Sequence, residues 1–290
     1  MLSSEARRGV AVVAAFAAGV TLAWVPFSSE PLPFRETSRY PMWVFLIGVV
    51  CASCPIVWSH GTSALAQLPA HRPPMLEALA YGACTAALTV GLLVVPMALP
   101  GRGSLPLLLP NLGLRFAVVY LAVILAAAPG IIAMYRVWGA CQRGDGQVAD
   151  LVAWRAILQS QLAALGALIA LGTLTTAALR SARLAAFTAR PADDFPAEYV
   201  LLFGAGLTVV VALVYVPPSE GLRRRARAMV DEAFPVPNQL EGDWQQQLQR
   251  RRDLAAVLRT DETIRNSIQN ALIIGGPLIT SALTLLIPTH

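Results

Sequence analysis

The chain has 290 residues, 56% of them hydrophobic and only 13% charged, with a mean hydropathy of +0.59. A soluble domain of this size carries about 25% charged residues. The long apolar blocks therefore exclude an ordinary soluble domain and indicate a polytopic membrane protein. The net charge is +5 and every one of the 22 basic residues is Arg. These arginines stand mainly at the ends of apolar runs, which fits membrane topology and anionic lipid headgroups better than nucleic acid. Four cysteines, Cys51, Cys54, Cys84 and Cys141, are too few and too embedded in apolar runs for a secreted disulfide framework.

The first run, 9–27, follows Arg7 and Arg8. It is long for a signal peptide and lacks a clear small-x-small cleavage site, so it is expected to be a retained first span. Five more runs approach the roughly 20 helical residues that cross a hydrocarbon core of about 30 Å. They cover 42–59, 76–99, 115–138, 156–179 and 198–217, and Pro-rich connectors divide them. The expected fold is thus an all-α, polytopic integral membrane bundle of six spans (1–217). A short cytoplasmic amphipathic helical region (218–270) and a C-terminal apolar segment (271–290) follow. The 17-residue run 271–287 is open to three readings: a seventh span, a re-entrant segment or a docked helix. No internal repeat is visible, so an inverted-repeat transporter gains no support.

The second span carries Cys51 and Cys54 at i and i+3. Such a pair suits thiol exchange when a thiolate is accessible. Mid-span, low dielectric disfavours that thiolate, so two small interface residues are the leading expectation. Redox chemistry at these thiols, or metal handling with His60 and His71, is the lesser one. Ionisable groups deep in the spans would mark an ion path. Glu77, Arg115, Arg136, Arg155 and Glu198 instead sit at span ends, where side chains reach the headgroups. The fifth span has the one polar stripe, Gln159, Ser160 and Gln161 followed by Thr173, Thr175 and Thr176. These groups need partners in lipid. They read as interhelical hydrogen bonding first and as the wall of a polar pathway second. Pro129-Gly130 in the fourth span predicts a kink. Small-residue pairs, Ala15 with Gly19, Gly82 with Ala86 and Gly166 with Ala170, permit close helix approach within a chain or in a homo-oligomer.

With the N-terminus in the cytoplasm, six arginines fall in inside loops and seven in outside loops, which decides nothing. The cluster Arg223, Arg224, Arg225 and Arg227 directly behind the sixth run breaks the tie. It resists translocation and suits anionic headgroups, so the tail and the N-terminus of a multi-pass protein of the cell membrane are expected in the cytoplasm. Beyond Pro217-Pro218, Ser219 reads as an N-cap. Leu222, Ala226, Met229, Val230, Ala233 and Phe234 stripe an amphipathic helix up to the break at 235–238. A second helical pattern covers 240–259, with Trp244, Leu248 and Arg251 as candidate contacts to a cytoplasmic protein partner. A third pattern begins at Thr260 or Asp261.

No HExxH, GxSxG or Walker motif is present and the chain holds three histidines, so no catalytic residue, metal or cofactor is implied. The expectation is a non-enzymatic membrane protein of channel or membrane-perturbing type, regulated or assembled through its tail. A scaffold recruiting a cytoplasmic partner is the alternative; a small-molecule transporter and a CxxC redox protein rank below both.

Overall fold

The computed structural model describes residues 4–24, 32–68, 112–186, 197–235 and 244–258. Among these the chain is all-helical. The helices are α1 (Ser4–Trp24), α2 (Leu32–Glu36), α3 (Tyr40–Gln67), α4 (Leu112–Gln142), α5 (Val148–Ala186), α6 (Ala197–Ala233) and α7 (Trp244–Val257). Five of them, α1, α3, α4, α5 and α6, are long and apolar enough to cross a membrane. They coincide with five of the six apolar runs. The run 76–99, the third tail pattern and the segment 271–290 lie outside the described residues.

The helices outlast the apolar runs that announce them. The α5 run of 156–179 belongs to a helix of 39 residues, about 58 Å long, nearly twice a hydrocarbon core. An apolar run records where lipid or core is met, and polar residues with good helix propensity carry the helix further. The largest departure is at Pro217-Pro218. Neither proline ends α6, which runs unbroken through both. Proline inside a helix costs about 3 kcal/mol, and burial on both sides outweighs it. Val214 and Tyr215 before the prolines, and Leu222, Ala226 and Val230 after them, belong to one core cluster. Ser219 is consequently not an N-cap: its hydroxyl donates back to the Val216 carbonyl at 2.9 Å. The expected stripe holds through Leu222, Ala226 and Val230 but fails at Ala233, which is exposed.

α4 and α5 form a hairpin whose turn the sequence spells out residue by residue. Gly144 has φ of +75°, and its N–H donates to Cys141 O at 3.2 Å while the Asp145 N–H donates to Ala140 O at 3.0 Å. This is the Schellman arrangement, in which a left-handed glycine satisfies the last carbonyls of a helix. Asp150 then accepts the Gln147 N–H at 2.8 Å, which caps the start of α5. Gly146, at φ +97°, lies under the Trp154 ring, where a Cβ would come within 2.8 Å of it.

The core has two parts. At the turn end, Met134, Val137, Leu158 and Leu162 gather with the buried residues of α6 and with Leu258. At the opposite end, Phe34, Tyr40 and Trp43 form a cluster with ring centroids 5.3 to 6.1 Å apart. There the Tyr40 hydroxyl donates to Ala23 O at 2.7 Å, and Arg39 Nη1 donates to Ser181 Oγ at 2.9 Å, so α1, α3 and α5 are tied together.

Candidate functional site

The polar features converge on the turn end, where α6 emerges from the bundle and α7 folds back against it. Arg251 makes the fold-back. Its Nη1 donates to Phe234 O at 2.6 Å and its Nη2 reaches the Asp231 carboxylate, so one guanidinium grips both the side chain and the backbone at the end of α6. A planar fork with several donors suits this double contact better than an ammonium would. Just past α7, Leu258 is 3% exposed inside the main core cluster, and Arg155 Nη1 of α5 donates to its carbonyl at 2.8 Å. The tail is therefore packed as part of the fold. Leu248 and Leu254 are half-buried on the inner side, while Gln245, Gln246, Gln249, Arg250, Arg252 and Asp253 are exposed on the outer side. The described part of Trp244 is its backbone alone, at the first position of α7.

The four-arginine cluster divides by helical position. Arg224 is largely exposed and pairs with Glu220 at 3.4 Å, and Arg223 lies 3.9 Å from the same carboxylate. Such exposed i,i+3 and i,i+4 pairs contribute about 0.3–0.5 kcal/mol each. Arg225 is different: its side chain is only 17% exposed, pairs with Glu232 at 3.2 Å and lies beside Gly144 of the α4–α5 turn. Arg227 is exposed. The cluster thus supplies one arginine to the fold and three to the surface.

The polar stripe of α5 is not a single wall. Thr173, Thr175 and Thr176 donate back to Ile169 O, Leu171 O and Gly172 O at 3.0, 2.7 and 3.0 Å in their own helix, and Thr176 also shares a side-chain hydrogen bond with Tyr120 of α4. Thr175 and Thr176 border a cavity of about 70 Å³ whose other walls include Ile47, Val123, Leu168 and Phe203. Nearer the turn end a second group of the stripe joins helices. Gln161, 1% exposed, donates to His60 O of α3 at 3.3 Å, and its Oε1 faces Gly130 of α4 with no hydrogen-bond partner among the described residues. Ser160 Oγ stands 3.5 Å from His60 Nδ1, at the outer limit of a hydrogen bond. Gln159 is half-buried beside them. The reason for this convergence is a close approach of backbones: a Cβ on Gly61 would meet Gly130 N at 2.5 Å and Pro129 Cβ at 2.9 Å. Glycine is what lets α3 and α4 touch there.

Cys51 and Cys54 lie on α3 where α1 crosses it. A Cβ on Gly19 would come within 2.8 Å of Cys51 Sγ, and the Cys54 thiol donates to Val50 O at 3.4 Å in its own helix. Both thiols are half-buried and free of disulfide.

Sequence reasoning missed Arg155 as the anchor of the tail, since the anchor joins positions 103 residues apart. It also passed over the hairpin turn, although glycine at 144 and an acid at 150 are the ordinary end and start signals of helices. Comparison with protein-family models, with curated proteins and with solved structures finds no match for this chain.

Proposed function

We propose that this chain is a non-enzymatic multi-pass membrane scaffold. Its turn end faces the cytoplasm, and it holds α7 as a fixed platform that offers a glutamine- and arginine-rich surface to an acidic partner. One observation carries the reading: Leu258 lies in the core under the Arg155 hydrogen bond, so the polar tail is ordered by the bundle while its outer face stays open to water. Arg223, Arg224 and Arg227 sit where a span leaves the bilayer. There they favour a cytoplasmic tail and attract anionic headgroups by about 1 kcal/mol each.

A tail-gated pore is the second reading, favoured by the unbroken run of α6 from its apolar segment into the tail. Ion and dye flux through liposomes separates the two. A scaffold passes neither solute, whether full-length or truncated after residue 235. Flux that changes on truncation replaces the scaffold with the pore. Topology is tested separately by placing a cysteine at Arg250 in a chain otherwise free of cysteine. It should react with impermeant maleimide only after the membrane is opened from the cytoplasmic side.

A further inference from the structure

Beside the α4–α5 turn lies a cavity of about 220 Å³ whose wall includes Arg136, Arg143, Asp145, Asp150, Trp154 and Leu68. It is smaller than the roughly 300 Å³ and above typical of pockets that enclose a whole drug-sized ligand. It matches instead a single polar headgroup with its remainder outside. The charges around it are not equivalent. Arg143 and Asp145 neutralise each other through a 3.0 Å ion pair. Arg136 is half-buried and, among the described residues, has no hydrogen-bond or ion-pair partner. Asp150 gives one carboxylate oxygen to the Gln147 N–H, and no other donor reaches it among the described residues. One cation and one anion therefore remain uncommitted, on the two helices of the hairpin. The floor is apolar, since Leu68, Ala140 and Trp154 are all buried.

We propose that this cavity binds a phosphoethanolamine group, with Arg136 on the phosphate and Asp150 on the ammonium. A guanidinium matches phosphate oxygens with paired donors. A carboxylate accepts hydrogen bonds from a primary ammonium, which the trimethylated nitrogen of phosphocholine does not donate. The second charge also sets the selectivity: Asp150 opposes a purely anionic ligand, so phosphatidylglycerol is disfavoured although the chain is basic overall. Arg136 lies six residues before the end of α4, within the candidate span Val118–Gln142, and Asp150 is in the first turn of α5. The cavity thus lies where the two candidate spans meet at their shared end; on the proposed membrane placement a lipid presents its phosphate there, and Trp154 and Leu68 supply the apolar contact.

The test is native mass spectrometry of the full-length protein, released from detergent with phosphatidylethanolamine, phosphatidylcholine or phosphatidylglycerol of matched chains. The expected result is retention of phosphatidylethanolamine at least 10-fold above the other two. Arg136→Gln should remove that retention, and Arg136→Lys should restore part of it. Asp150→Asn keeps a carbonyl oxygen for the Gln147 N–H, so the turn stays capped, and it should reduce phosphatidylethanolamine to the level of phosphatidylcholine. Competition with soluble O-phosphoethanolamine identifies the source. Displacement at equimolar concentration assigns the cavity to a soluble ligand, and retention of the lipid assigns it to the membrane. Equal retention of all three lipids overturns the proposal, as does unchanged selectivity in a folded Asp150→Asn variant.

Discussion

Replacing Gly61 by Ala tests the contact that sets the distance between α3 and α4. In an open helix this change stabilises by about 1 kcal/mol, because Ala loses less backbone entropy than Gly. At Gly61 the new Cβ would lie 2.5 Å from Gly130 N, 2.9 Å from Pro129 Cβ and 3.0 Å from Pro129 C. All three belong to backbone or to a proline ring, so none can rotate away and the helices must separate. Overpacking of this kind costs about 1–3 kcal/mol, and the gap opened alongside forfeits dispersion contacts. The net expectation is destabilisation by about 1–2 kcal/mol. At roughly 2–4 °C per kcal/mol for a chain of this size, Tm falls by about 2–8 °C. Two companion changes calibrate it. Gly172 on α5 has open space around it, so Gly172→Ala should raise Tm. Gly130→Ala meets the Gln161 side-chain oxygen, so Gly130→Ala with Gln161→Ala should be more stable than the sum of the single changes by about 1 kcal/mol. The assay is thermal unfolding of purified protein in one detergent, followed by intrinsic fluorescence and by loss of monodisperse protein. A Gly61→Ala protein that unfolds at or above the temperature of Gly172→Ala would refute the close approach of α3 and α4.

Three further outcomes follow from the tail and the threonines. Arg155→Met removes a charge-assisted bond to Leu258 O, of about 1.5–3 kcal/mol, and should speed limited proteolysis around α7 by an order of magnitude while the bundle stays intact. Arg251→Lys keeps the charge but not the fork that reaches both Asp231 and Phe234 O, so hydrogen exchange in α7 should rise nearly as far as in Arg251→Met. Thr175→Val removes a hydroxyl whose described bond lies within its own helix, so stability should change by less than about 1 kcal/mol, a Tm shift of less than about 4 °C, and liposome flux should stay at background.

The apolar runs made five helices legible, because run length and helix crossing are bound by the same geometry. Their ends were not legible, because an apolar run stops at the edge of the apolar environment and α5 and α6 do not. The inward stripe of the tail was visible at Leu222, Ala226 and Val230 from helical spacing. What those residues pack against was not, since the partners come from α4 and α5 and no local pattern encodes a distance of a hundred residues. The α5 stripe shows the same limit. Sequence groups Gln161 with Thr173, Thr175 and Thr176 as polar residues on one span. Packing separates Gln161, which reaches His60 of α3, and Thr176, which meets Tyr120 of α4, from the Thr173 and Thr175 hydroxyls, which turn back on their own helix. The four arginines at 223–227 likewise look alike in sequence, and the helix face alone decides that Arg225 is held against the α4–α5 turn.

The α4–α5 turn has a consequence for how the molecule is made. A five-residue connection closed by its own glycine and capped by its own aspartate needs nothing from elsewhere in the chain. The two helices can pair as soon as both have left the ribosome, because the loop-closure entropy of so short a connection is small. The link from Gln161 to His60 joins positions 101 residues apart, so that hydrogen bond can form only once α5 has been made. Among the described residues, the latest-made contact is Leu258 under Arg155. Until it is translated, the part of the hairpin core that Leu258 covers stays open, and exposed apolar surface of that kind is what makes an incomplete chain prone to misassembly.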